Sequence, residues 1–137
     1  MRLLGIDLGE RRIGLAVGDE SGRLALPAGH LERITLRYDI SRLLEIARQR
    51  EVGGFVVGMP YTLSGEVGPQ ARQAQGFIRA LRKETDLTVH TMDERFTSVE
   101  AEGMLREAGQ QPSRRRADVD AMAATLILQR FLDQRGD

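Results

Sequence analysis

The sequence predicts an α/β protein: a mixed five-stranded sheet with helices on both faces. Three observations carry that expectation. The opening of the chain holds three short extended segments separated by tight turns, the pattern of an antiparallel meander. The remainder alternates helical and extended periodicity, in the order helix–strand–helix–strand–helix–helix, which calls for parallel strands. The last segment is apolar around much of its circumference, as in a helix packed into a core.

Each element follows from local pattern. Leu3 to Leu8 is an apolar run that reads as a buried strand stopped by Gly9. Ile13 to Val17 is the second strand, closed by the turn-rich Gly18-Asp19-Glu20-Ser21-Gly22. The third spans Arg23 to Leu31. Pro27 cannot donate to a ladder, so this strand is expected at an edge or at a bulge. From Arg37 to Arg50 the period becomes helical, with Ile40, Leu43, Leu44 and Ala47 on one face and Gly53-Gly54 as the stop. Phe55-Val56-Val57 is a short continuous strand ending at Gly58-Met59-Pro60, and Tyr61 to Gly68 is a loop. Pro69 suits a first helical turn, after which Ala74, Phe77, Ile78 and Leu81 form a stripe. Leu87 to Thr91 alternates as the fifth strand and leads into Met92-Asp93-Glu94-Arg95. Thr97 and Glu100 have capping-box spacing, and Ala101, Met104, Leu105 and Ala108 make a helix face stopped by Gly109. Gln110 to Ala117 is a polar, arginine-rich loop, and the final helix is expected from Val119 to Leu132.

At 137 residues, without repeats, linkers or low-complexity tracts, the chain reads as one domain, 1–137. Hydrophobic residues at 41% and charged residues at 29% exclude disorder. The absence of cysteine excludes a disulfide framework, a thiolate zinc site, an iron–sulfur cluster and a cysteine nucleophile. No apolar run approaches a membrane span, and Asp7 argues against a signal peptide, so a cytoplasmic location is expected. Twenty basic and twenty acidic side chains give no net charge, which excludes nucleic-acid binding by bulk charge but leaves room for a local basic patch. All the bases but Lys83 are arginines. Their spread along the chain matches GC-rich coding, although arginine is also the better bidentate partner for phosphate.

Three acids stand out by context. Asp7 lies between Ile6 and Leu8 in an apolar strand, where a carboxylate is costly unless paired or metal-bound. The plainer reading is a strand-end aspartate satisfied by backbone N–H groups of the Gly9 turn. Glu94 follows the fifth strand, at the sheet end where α/β proteins place ligands; it is also readable as a helix cap or a partner for Arg95. Asp120 is expected in the first turn of the last helix, where an acid also serves to complement the dipole. Together the three fall at the ends of elements that can converge on one sheet edge. Carboxylates without thiolates form an oxygen-only site suited to Mg2+ or Mn2+. Two such ions clamp a phosphodiester, and Asp7, central in the sheet, is the candidate bridging ligand. Arg114-Arg115-Arg116 is a phosphate guide or a solvated loop. Ser64 to Gln70, glycine-rich and entering a helix, is an anion site or an ordinary connection. His30 and His90 are strand residues too differently placed for a dyad or a zinc site, and Ser98 lacks a nucleophile-elbow context. An acid cluster and an arginine-rich loop would cancel in the net charge.

Four blocks in order carry a resemblance. Gly5-Ile6-Asp7-Leu8-Gly9 with Arg12-Ile13-Gly14-Leu15-Ala16 and Asp19 opens the pattern, and Val56-Val57-Gly58-Met59-Pro60 with Gly65 and Gly68-Pro69-Gln70-Ala71 continues it. Asp93-Glu94-Arg95-Phe96-Thr97-Ser98 with Ala101-Glu102, and Val119-Asp120 with Ala123-Ala124 and Ile127-Leu128-Gln129, complete it. Over nearly its whole length the chain resembles the YqgF/RuvX family of Holliday junction resolvases and pre-16S rRNA nucleases. The resemblance implies a ribonuclease H-like fold and a metal-dependent nuclease in which Asp7, Glu94 and Asp120 are the catalytic, metal-holding acids for two Mg2+ or Mn2+ ions. Arg12, Arg95 and Arg114 to Arg116 are then the residues that neutralise backbone phosphates. Family members often carry lysines just before Asp120, where this chain has Arg116, in the lysine's place toward phosphate, and then Asp118. Asp118 is open to three readings: a helix N-cap, a spare ligand, or an alternative to Asp120. The implied reaction is hydrolysis of nucleic-acid phosphodiesters, foremost in processing the 5′ end of pre-16S rRNA. The alternatives are cleavage of Holliday junctions and branched DNA, or a non-catalytic, nucleic-acid-binding role in ribosome assembly. The sequence does not decide RNA against DNA, and a monomer and a homodimer are both compatible with it. Sugar-kinase and actin-type phosphotransferases share the opening Asp-x-Gly but need two lobes, for which the chain is too short.

Overall fold

The computed structural model of the chain describes residues 1–95 and 116–135. Strands β1 (Leu3–Leu8), β2 (Arg12–Gly18) and β3 (Ala25–Glu32) come first, followed by helix α1 (Leu36–Gln49), β4 (Gly54–Met59), α2 (Pro69–Glu84), β5 (Thr88–Asp93) and α3 (Arg116–Arg135). The strands form one five-stranded sheet in the order β3-β2-β1-β4-β5. β1, β2 and β3 pair antiparallel, whereas β4 lies parallel to both β1 and β5. The mixed sheet expected from the sequence is therefore the one observed. β3 is the edge strand that Pro27 requires, and the β2–β3 register shifts between Gly14 and Ala16, next to the Ala16–Pro27 pair.

Alternation along the strands assigns the two faces. Leu4 and Ile6 of β1 join Phe55 and Val57 of β4 beneath α1 and α2, which contribute Ile40, Leu43, Ala74, Phe77 and Leu81. Leu3, Ala16 and Val56 point the other way, onto Ala124, Ile127, Leu128 and Leu132 of α3. Gln129 ties α3 to the edge strand: its side chain accepts from the Ala25 amide at 2.9 Å and donates to the Arg23 carbonyl at 2.8 Å. Gly5 sets how closely α3 approaches, because a Cβ there would lie 2.8 Å from Leu128 Cβ and 3.1 Å from the Ala124 carbonyl oxygen.

Two boundaries differ from expectation. β5 runs on to Asp93 instead of ending at Thr91, because its ladder with β4 continues through Gly58–Met92 and Met59–Asp93, while β4 ends within the expected Gly58-Met59-Pro60 stop. Helix α3 begins at Arg116, so Arg116 and Ala117 are helical and not loop. Asp118 is then the third helical residue and not an N-cap, and Asp120 falls in the second turn, beyond the first turn where a dipole role acts. The expected helix over Ala101 to Ala108, with Arg114 and Arg115, lies outside the described residues.

Candidate active site

The site begins with the central strand. On β1, Leu3, Gly5 and Asp7 share the face that α3 covers, since alternate residues point the same way. Asp7 is 7% exposed, close to the end of the strand. β4 beside it carries no side chain at Gly58, and that gap is needed. A Cβ at Gly58 would stand 2.9 Å from the Glu94 carboxyl carbon and 2.6 Å from Ile127 Cδ1. Glu94 follows directly on β5, held by its amide donating to the Met59 carbonyl at 3.1 Å, and is 8% exposed.

Asp7 and Glu94 meet across the end of β4. Their side chains are hydrogen-bonded to one another, and the Glu94 pKa is raised far above the ordinary carboxylate value. Burial is the largest cause, followed by the charge of Asp7, the hydrogen bond with Asp7 and the charge of Asp93. Two buried carboxyl groups so placed share a proton more readily than they both ionise. They line a cleft of about 310 Å³ together with Gly9, Glu10, Arg33, Tyr61, Gln70 and Arg95. Among the described residues no three His, Cys, Asp or Glu side chains form a metal cluster. Asp7 and Glu94 supply two oxygen donors. Helix α3 crosses the sheet with Leu132 near Gly18 and Ala124 over Gly5, so its N-terminal turns, which include Asp120, run toward the Asp7 end of β1.

The predicted cations separate. Arg95 lines the cleft, yet its Nε and Nη2 engage Asp93 at 2.9 and 2.8 Å and its Nη1 reaches the Leu63 carbonyl at 3.4 Å. Arg95 thus pairs with Asp93 and not with Glu94, and it braces the loop after β4, where Gly65 at φ +89° leaves room for its guanidinium. Arg12 sits on β2 opposite Glu32, 3.8 Å from its carboxylate, outside the cleft lining. The loop over Ser64 to Gln70 does reach the cleft, through Gln70 at the start of α2. His30 lies 3.5 Å from Glu32, and His90 stacks near Phe131 with ring centroids 4.8 Å apart, so neither enters the site. Sequence reasoning missed Arg33, which lines the cleft from the β3–α1 connection, and Asp39, 1% exposed behind it. A long-range hydrogen bond places Arg33, and no periodicity records that. Asp39 left a trace as an acid in the first helical turn, four residues after the N-cap Thr35.

A ribonuclease H-like mixed sheet with a buried acid pair at the ends of β1 and β5, on either side of β4, is the frame of a nuclease, a hydrolase of phosphodiester bonds. The comparisons agree. The RuvX family, described as Holliday junction resolvase, matches residues 1–134, and the chain belongs to that family. It is 45% identical over 98% of its length to a protein of Desulforudis audaxviator, and 46% identical over 98% to one of Anaeromyxobacter sp. strain K, each named "Putative pre-16S rRNA nuclease". The shares of those two relatives covered are 96% and 98%. Among solved structures, Thermus thermophilus RuvC shares the fold at TM-score 0.61 and 18% identity, covering 99% of this chain and 96% of that one. The fowlpox virus resolvase, solved with Holliday junction DNA, shares it at TM-score 0.58 and 8% identity over the whole of both chains. No described helix is long and apolar enough to cross a membrane.

Proposed function

We propose that this chain cuts phosphodiester bonds in precursor 16S rRNA, at its 5′ end, with Asp7, Glu94 and Asp120 as the acids that hold divalent cations. One observation carries the proposal: two buried carboxyl groups, hydrogen-bonded to each other, line a cleft at the end of the central strands. A like-charge pair in a low-dielectric pocket is a poor structural device and a good hard-cation site, and the all-oxygen donors fit Mg2+ or Mn2+. Asp120 is favoured over Asp118 as the third acid. Asp120 lies four and eight residues before Ala124 and Leu128, in helical register with the two residues that meet Gly5, whereas Asp118 is out of that register. The names of the relatives support rRNA as substrate.

Bound cations would lower the pKa of a water nucleophile and offset charge on the attacking and leaving oxygens. The protein's own residues do the rest. Gly58 keeps Glu94 beside Asp7, and the loop from Tyr61 to Gly68, braced by Arg95, walls the cleft. Loss of the shared proton readies both carboxylates to ligate. Arg114 and Arg115, just before α3 in sequence, and Arg116, its first residue, are assigned to the phosphate backbone. The test is a cleavage panel with Mg2+ or Mn2+: a precursor rRNA fragment spanning the 16S 5′ end, a four-way DNA junction and duplex DNA. Cut precursor rRNA by the wild type and none by Asp7→Asn is the expected result. Junction cutting alone would move the substrate to branched DNA, and binding without any cut product would overturn the enzyme reading.

A further inference from the structure

We infer that Arg33 is a substrate-binding residue, contacting a backbone phosphate of the nucleic acid inside the cleft beside the acid pair. The inference rests on the nuclease reading above and adds a residue to it. A cleft lined by Asp7, Glu10 and Glu94 repels a polyanion, so some cation in its wall must offset that field. Among the described residues the lining cations are Arg33 and Arg95. Arg95 spends its charge on Asp93 and its third nitrogen on the Leu63 carbonyl.

Arg33 is built differently. Its Nη1 donates to the Gly9 carbonyl at 2.9 Å, and its own amide donates to the Arg11 carbonyl at 2.8 Å. Both bonds fasten it to the turn that follows Asp7 on β1. Its Nε lies 3.8 Å from Asp39, a carboxylate 1% exposed. That carboxylate is already engaged by Arg42 at 2.7 Å and by the Ile34 amide at 3.0 Å. Two guanidinium groups thus share one carboxylate, which leaves a surplus positive charge. Arg42 directs its Nη2 to Asp39 and to the Glu32 carbonyl and does not line the cleft, so the surplus reaches the cleft through Arg33. The Arg33 side chain is 26% exposed, with its Nη2 edge unengaged among the described residues. A guanidinium held at Nη1 and facing Asp39 through Nε, with its Nη2 N–H groups presented, is preorganised for phosphate.

The experiment measures binding of a fluorescent precursor rRNA fragment spanning the 16S 5′ end, by anisotropy over a range of salt concentrations. The Asp7→Asn background is used for binding, and cleavage with Mn2+ is followed in the otherwise wild-type chain. Arg33→Ala should weaken binding about tenfold and lower the slope of log affinity against log salt by about one. Arg33→Gln keeps a donor for the Gly9 carbonyl but no charge, so it should show the same loss even if the alanine variant is poorly folded. Arg33→Lys should recover the salt slope. Arg79→Ala, which removes an exposed charge outside the cleft, should change neither quantity. Wild-type cleavage with unchanged affinity and salt slope in Arg33→Gln would overturn this inference alone. Failure of the wild type to cut any substrate would overturn the nuclease reading, and this inference with it.

Discussion

Two sites in this molecule bury carboxylates almost equally, and they are opposites. Asp39 is 1% exposed and sits among positive and donor groups: Arg42 at 2.7 Å, the Ile34 amide at 3.0 Å and Arg33 at 3.8 Å. Asp7 and Glu94, at 7% and 8%, hydrogen-bond to one another. The first arrangement satisfies its charge within the fold. The second sets two like-charged groups side by side and raises the pKa of Glu94. Burial of an acid alone does not mark a working site; the sign of the group it faces does.

Four experiments would break or sharpen that contrast. Asp7→Asn should lower cleavage by at least about a hundredfold while the melting temperature stays the same or rises, since the substitution removes a buried charge. A large fall in melting temperature would instead make Asp7 a structural acid. Asp39→Ala should do the reverse, costing about 3–5 kcal/mol in urea unfolding because it strands the Arg42 guanidinium, whose Nε already has no hydrogen-bond partner among the described residues. Unfolding within about 0.5 kcal/mol of wild type would show that the cluster is not structural.

Gly58→Ala tests the space between the sites. Its Cβ would press on Ile127 and on Glu94, so a loss of about 1–3 kcal/mol is expected together with impaired cleavage; full activity would mean that Glu94 needs no fixed position. The smallest effect is the pH dependence of stability with chelator present. Glu94 has a folded-state pKa raised above its ordinary value of 4.5, so the folded protein binds more protons than the unfolded chain above that pH. Stability should therefore fall as pH rises above about 4.5, until the folded group also ionises. Glu94→Gln should flatten that slope in urea midpoints measured between about pH 5 and about pH 8, and a slope identical to wild type would refute the shared-proton pair.

Much of this was legible before any coordinates. The period change after Leu31 marked where the meander ends and α1 begins, and Pro27 put β3 at an edge, because a missing N–H is a local fact. Asp7 stood out because one charge interrupts an apolar run. Glu94 was harder to interpret, since adjacency to Arg95 suggested an ion pair that the fold gives to Asp93. The N-terminus of α3 was misplaced by three residues, because Arg116 and Ala117 read as polar loop by composition and Asp118 read as an N-cap.

The sequence by itself determined the strand and helix order, the apolar faces and the candidate acids, because periodicity and the cost of burying charge are properties of a short window. Only the tertiary structure decided which carboxylate meets which group. The Asp7–Glu94 contact and the seating of Arg33 on the Gly9 carbonyl join strands and turns that the chain visits far apart, and the fold turns Arg95 onto Asp93 two residues before it and away from its neighbour Glu94. Electrostatic identity depends on those neighbours. The same residue type is a structural counterion at position 39 and half of an acid pair at position 7, and the difference is set by what the fold brings within about 4 Å of it.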